Sequence, residues 1–402
     1  MSINLLRNSK VYFTTNIKTT DPDRGRIIEG IGTDPDHTSS TTFEIQVLDD
    51  LTFSQTTAVE TISVNETGTT PIRGQRTFNT ALNPVDFSFT CYMRPNVTSG
   101  TATITCEENV LWNAMFGLDP IGGLNPAWTD GNTTTPTPAS CVLTNSAKHQ
   151  LQRFGLIVIF DNNAFLLDDC SLNTATIDFG IDAIASIQWS GQARRVRRVA
   201  APTVTAGVWS GSLVGTYKPK VTTAPFIANK LTTVTLKSNI GTASSVASGV
   251  FTAGTAPSTG TVYTMPLTGG SITLTNNITY LTPAYMGTIN EPIAYFTGSR
   301  SITGSLTAYL RTGTGYSAEL FQNLVTNIAV DSDPEFYLQV EIGGSASQTK
   351  VELEMPGVVL TIPTINAESV ITTTVNFTAQ GSASNLFSIL QNNEIVLKYY
   401  TS

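Results

Sequence analysis

Two histidines in 402 residues, His37 and His149, are all the imidazole this chain has for proton transfer. Neither has a carboxylate or cysteine beside it at metal-ligand spacing, so hydrolytic and zinc chemistry lack material. The acid pairs Asp49-Asp50, Glu107-Glu108 and Asp168-Asp169 are expected at turns or element boundaries, as caps or solvated groups. GLDPIGG (Gly117–Gly123) lacks the Lys-Ser/Thr ending of a phosphate loop. Cys91, Cys106, Cys141 and Cys170 show no C-x-x-C spacing, and buried reduced thiols are their expected state. One charge cluster stands out, ARRVRR at Ala193–Arg198. Four arginines around one valine, without aromatics, make a thin nucleic-acid surface. Arg194, Arg195, Arg197 and Arg198 are instead expected at a subunit or ring interface. Their forked guanidinium groups would pair there with carboxylates, such as those of Asp34–Asp36 or Asp331–Glu335. No enzyme, cofactor or metal is expected.

What must be positioned, then, is a surface rather than a reaction centre. Only 13% of the residues are charged, 40% are hydrophobic, and much of the rest is Thr, Ser, Asn and Gly. Such a chain favours pleated, half-buried strands, and the fold class is mainly β. A net charge of −8 argues against gripping nucleic acid by phosphate neutralisation. Residues 1–200 carry −6 and residues 201–402 carry −2. MSINLLRNSK lacks the apolar stretch of a signal peptide, and the run LIVIF (Leu156–Phe160) is too short to span a bilayer. Folding in a host cytoplasm, away from membranes, is expected.

The surface is written twice. SFTCYMR (Ser88–Arg94) returns as SLTAYLR (Ser305–Arg311). Alternate residues of a strand share a face. One face drifts from Phe89, Cys91 and Met93 to Leu306, Ala308 and Leu310. The other keeps its letters, Ser88, Thr90, Tyr92 and Arg94 against Ser305, Thr307, Tyr309 and Arg311. A core face needs only volume and polarity, whereas a face kept to the letter points to one environment met twice. TIDFGIDAIASIQWSGQ (Thr176–Gln192) aligns without a gap to TINAESVITTTVNFTAQ (Thr364–Gln380). There Gln188, Ser190 and Gln192 stand opposite Asn376, Thr378 and Gln380. Weaker matches pair Asn4–Asn16 with Pro225–Asn239, Asn8 falling opposite Asn229, and Phe78 with Tyr295. Each twin strand precedes a helix-like apolar cluster, VLWNAMF (Val110–Phe116) or ELFQNLV (Glu319–Val325).

Ordered matches with a shrinking offset predict two tandem homologous modules, 1–199 and 225–402, with a linker at 200–224. The first module carries an extra loop at about 117–150, and a second irregular piece spans Lys18–Ser40. The fourteen polar residues above are the candidate lining of a lumen or an inter-module interface. Two equivalent modules per chain suggest a pseudo-symmetric assembly.

The start NLLRNSKVYFTTN and the closing strands IASIQWSGQA and VITTTVNFTAQG make the chain resemble bacteriophage tail tube proteins. That resemblance implies β-sandwich or barrel modules, each with one flanking helix, whose sheets join around a channel. It implies trimeric rings of six pseudo-equivalent modules, stacked into a hollow conduit for genome delivery in the virion tail. Lys18–Ser40 and Gly117–Ser140 are the loops that would reach the next ring. The implied partners are the protein itself, tape-measure, tail-terminator and baseplate or tip proteins, and a sheath if the tail is contractile. DNA would pass without specific binding. Two alternatives are another β-rich virion component (baseplate, fibre or decoration protein) and a bacterial adhesin or surface-layer repeat protein.

Overall fold

The computed structural model describes residues 9–20, 23–29, 42–62, 75–98, 100–117, 127–143, 151–205, 207–238, 261–284, 286–287, 290–328, 335–344, 349–367, 369–381 and 394–401. His37, His149, Asp34–Asp36 and residues 331–334 lie outside them, as do most of Lys18–Ser40 and residues 118–126.

Alternating apolar residues make nearly every element a strand. Ser9–Thr14 pairs antiparallel with Thr42–Ile45 on one side and Phe154–Phe160 on the other. Phe154–Phe160 continues into Asn163–Asp178. The first part of Asn163–Asp178 pairs with Arg195–Ala200, its second part with Ser186–Ala193. Ser186–Ala193 then pairs with Arg76–Tyr92, and that strand with Thr52–Ile62.

The second half repeats this order. Thr233–Ser238 lies between Val262–Thr264 and Glu335–Ile342. Glu335–Ile342 pairs with Lys350–Leu360. The first part of Lys350–Leu360 takes Val396–Tyr400 as partner, its second part Thr372–Gln380. Thr372–Gln380 pairs with Ser301–Tyr309, which pairs with Leu267–Thr275. In each half one long strand belongs to two layers, and apolar side chains of both layers meet in a continuous core.

Two α-helices lie among the described residues. Asn109–Phe116 buries six of its eight residues, as befits a helix apolar nearly all round. Its Trp112 meets Trp189 edge to face at 4.8 Å and donates to the Tyr399 hydroxyl at 2.8 Å. Ser317–Ile328 buries the i, i+4 pair Leu320 and Leu324.

The structure departs from the sequence expectations in four places. Asp168-Asp169 sits inside Asn163–Asp178, buried, where the strand changes layer; Asp169 takes φ 56°. No solvent reaches the pair, and guanidinium groups compensate it. Residues 203–216, inside the expected linker, form a three-stranded sheet. It is fixed to the first half by Trp209, 4.8 Å from the Tyr12 ring, with Leu213 and Tyr217 buried beside them. Within the expected extra loop, Ala139–Val142 pairs with Val396–Tyr399 near the chain's end. Finally, the twin and closing strands meet at Ser88↔Ser190 but Ser305↔Asn376. The second register is two residues away from the ungapped alignment. A shift of two keeps every side chain on its face, so the hydrophobic pattern cannot reveal it.

Candidate functional site: an uncharged sheet face and the junction of the halves

The two halves join strand to strand. Thr174–Asp178 of the first pairs with Ser271–Thr275 of the second, Thr176 opposite Thr273. One sheet therefore runs from Thr52–Ile62 at one edge to Thr364–Asn366 at the other. Its inner face carries Phe89, Trp189, Ile177, Ile272, Leu306 and Val375, all buried. Register fixes its other face. One row reads Thr90, Gln188, Thr176, Thr273, Thr303, Thr378; the next reads Tyr92, Ser186, Asp178, Ser271, Ser305, Asn376. A third runs from Ser88 and Ser190 through Thr174 and Thr275 to Ser301. Thr307 pairs with Thr374 and so takes the same face, Gln192 sits opposite Asp86, and Gln380 opposite Gly357.

The face is a field of hydroxyls and amides with no lysine or arginine in these rows. Neighbours bond across the strands: Thr52 with Ser88 at 2.9 Å, Thr174 with Ser190 at 2.5 Å, and Thr176 with Thr273, Ser271 with Ser305 and Thr307 with Thr374 at 3.3 Å each. Thr90 donates its backbone N–H to Asp50 at 3.0 Å, and Gln192 donates to Asp86 at 3.0 Å. Thr174, Thr176, Ser271 and Thr273 complete the face although sequence reasoning did not single them out. The alternations Thr174-Ala175-Thr176-Ile177 and Ser271-Ile272-Thr273-Leu274 are the signal that could find them.

Arg94 and Arg311 fall outside the strands they follow. Arg94 is 2% exposed. Its guanidinium donates to the Ala224 carbonyl at 2.5 Å, to the Thr222 carbonyl at 3.2 Å and to Gln46 at 2.5 Å, and lies 4.5 Å over the Phe226 ring. Arg311 is exposed, 4.0 Å over Tyr316. The backbone N–H of Arg94 reaches the Glu108 carboxyl at 3.3 Å, and that of Arg311 reaches the Ser317 hydroxyl at 2.8 Å. Burial pushes the Glu108 carboxyl up to about 7.

The basic cluster is occupied inside the chain. Arg197 grips Asp168, at 2.5 and 2.9 Å, and Glu29. Arg153 faces Asp169 at 3.3 Å. Arg194 donates to the Arg24 carbonyl at 3.2 Å and Arg198 to Asn163 at 2.8 Å. Arg195 lies 3.8 Å from Glu291 of the second half.

Two more contacts tie the halves. The hairpin Ile278–Leu281/Ala294–Thr297 sets the Tyr280 hydroxyl on the Asp169 carbonyl and the Tyr295 hydroxyl on that of Leu151, 2.7 Å away. Segment 222–229 caps the first half's Asp178–Ser186 turn. Ala185 N–H donates to the Ile227 carbonyl at 2.9 Å, Asn229 N–H to that of Ala183 at 3.0 Å, and Ile184 bridges Ala228. All four cysteines are buried free thiols, and the described residues hold no acidic, histidine or cysteine cluster fit for a metal.

These are surfaces for assembly, and known proteins agree. A model of the phage tail tube protein family matches residues 16–379. The chain is 29% identical over 388 residues to the tail tube protein pb6 of Escherichia phage T5, covering 94% of this chain and 73% of that one. The family is structural rather than enzymatic, and its members are parts of the virion tail. The chain belongs to the phage tail tube protein family.

Proposed function

We propose that the chain is the repeating subunit of a tail tube. Its halves act as two copies of one module, three chains form a ring of six modules, and the hydroxyl face lines the channel. The observation that carries this reading is the internal junction. Thr174–Asp178 pairs with Ser271–Thr275, and both chain ends leave the corresponding edges without a partner strand among the described residues. These are Thr52–Gln55 and Thr364–Asn366. Repeating the internal register between chains sets Thr52 opposite Asn366, Phe53 opposite Ile365 and Ser54 opposite Thr364. That places hydroxyls and amides on one face, and Phe53 against Ile365 on the other. The outer part of the hairpin Thr52–Ile62/Arg76–Tyr92 would dock on the next chain as Ile278–Leu281/Ala294–Thr297 docks within this one. Its exposed Phe78 takes the place of Tyr295.

A face without cations suits a conduit for DNA, since each retained phosphate contact would release counterions and hold the polymer. Asp86 and Asp178 are the charges it carries. Rings stack into a tube assembled in the host cytoplasm, with tape-measure, tail-terminator and tip or baseplate proteins as partners, and a sheath if the tail contracts. Cryo-electron microscopy of assembled tubes tests this. The expected map has threefold rings of six similar modules with Thr176, Thr273 and Thr303 facing the channel. Sixfold rings of whole chains, or that face turned outward, would overturn the reading.

A further inference from the structure

Tyr92 and Arg94 share their letters with Tyr309 and Arg311, yet only the first pair is covered. Over Tyr92 lies the Phe226 ring at 5.3 Å, edge to face, and Arg94 is sealed by the carbonyls of Thr222 and Ala224. Beside them, Met93 N–H donates to the Ala185 carbonyl at 3.0 Å, and Ala185 N–H carries segment 222–229 onward through Ile227. In the second half the same platform is built and left open. Leu310 N–H donates to the Ile371 carbonyl at 3.0 Å, as Met93 does to Ala185. No backbone bond or bridge covers Ile371 from outside among the described residues. Tyr309 is 46% exposed, Val370 59% and Ile371 45%. Ala185, in the place of Ile371, is fully buried.

The chain holds one other segment with the covering sequence. Asn8 stands opposite Asn229, so Leu5, Leu6 and Arg7 stand opposite Phe226, Ile227 and Ala228. Each run leads directly into the first strand of its half, Ser9–Thr14 or Thr233–Ser238. The second half's open platform lies at the far end of the chain from its own residues 5–8.

We infer that residues 2–8 of a neighbouring copy in the same ring cover Tyr309, Arg311 and the turn Ser369–Ile371, as 222–229 cover the first half. This rests on the ring reading above and names its residue-level clasp. Leu5 lies on Tyr309 and Arg311. The Leu6 carbonyl accepts the Ile371 N–H, and Asn8 N–H donates to the Ser369 carbonyl. The exposed Arg311 guanidinium turns to the carbonyls that precede Leu5. This accounts for the identity of Tyr92-x-Arg94 and Tyr309-x-Arg311, which a solvent-facing position does not require.

Cross-linking reads it directly. Ile184 and Ala228 are a non-hydrogen-bonded antiparallel pair, flanked by the two bonds of Ala185 and Asn229. Such Cα atoms stand about 4.5 Å apart, within disulfide reach. The matching pair across chains is Arg7 with Val370. In R7C/V370C tubes under mild oxidation, the expected result on a non-reducing denaturing gel is a covalent closed trimer, more than tenfold above that of N8C/V370C. I184C/A228C should close within the monomer and reports that the platform is formed. Trimer from R7C/V370C supports the clasp. Monomeric disulfide would mean the segment folds back on its own chain, and a ladder beyond three would mean it bridges stacked rings; each overturns the inference. Tubes with I184C/A228C closed but R7C/V370C reduced overturn it while leaving the tube intact. Absence of tubes with I184C/A228C closed overturns the ring reading itself.

Discussion

The surroundings of Arg94 and Arg311 begin from the same four letters and end in opposite states. Arg94 is an internal clamp with three acceptors and a ring beneath it; Arg311 lies in the open over Tyr316. Sequence identity on a strand face therefore marks a shared final environment, reached in one half by folding and in the other by assembly. Burial in a single chain is a poor guide to which residues an assembly fixes.

The largest test of that contrast is Arg94→Ala. It strands two buried carbonyls and a glutamine, so the dispersed chain should lose about 3 kcal/mol in urea denaturation. Arg311→Ala should cost under about 0.5 kcal/mol in the same assay while reducing tube yield. Equal losses from both would break the comparison.

A difference of similar size separates the helix starts. The Arg94 N–H is met by Glu108 and the Arg311 N–H by Ser317, so only the first half titrates there. The folded chain keeps a proton on Glu108 up to about pH 7, while the unfolded chain releases it near 4.5. Folding thus takes up a proton between these values, and stability falls as pH rises through them, by about 3 kcal/mol in all. Denaturation at pH 5 and pH 8 should show the loss, and Glu108→Gln should flatten it. An unchanged slope in Glu108→Gln would assign the dependence elsewhere.

The glycines of the shared sheet should give a smaller and symmetrical effect. Phe87 lies across from Gly191, and Phe377 across from Gly304. The halves thus place the aromatic and the glycine on opposite members of the strand pair. A Cβ on Gly191 would meet the Phe87 ring at 2.6 Å, and one on Gly304 the Phe377 ring at 2.3 Å. Either change to alanine should cost about 1–3 kcal/mol, and thermal melts should rank the two alike.

That exchange also shows where the sequence stops speaking. The twin strands, both helices and the polar face were legible because each leaves a local period. The two-residue register shift was not, since it preserves every face. The pairing of Ala139–Val142 with the last strand is likewise a long-range event in a Pro/Thr-rich stretch too short to show a period. The small sheet at 203–216 is fixed by Trp209 on Tyr12, a contact written nearly two hundred residues away. Asp168-Asp169 reads as a turn and is buried because arginines from distant strands reach it.

The hydroxyl face has a further consequence, in time rather than in strength. Its rows are mostly short side chains, and threonine, being β-branched, has few rotamers to wander through. Water bound there is held by neutral hydrogen bonds, whereas a phosphate on lysine or arginine would be held by charge-assisted ones about twice as strong. Such a wall stays wet, its water exchanges freely with the solvent beyond it, and it offers no long side chain to snag a polymer in motion.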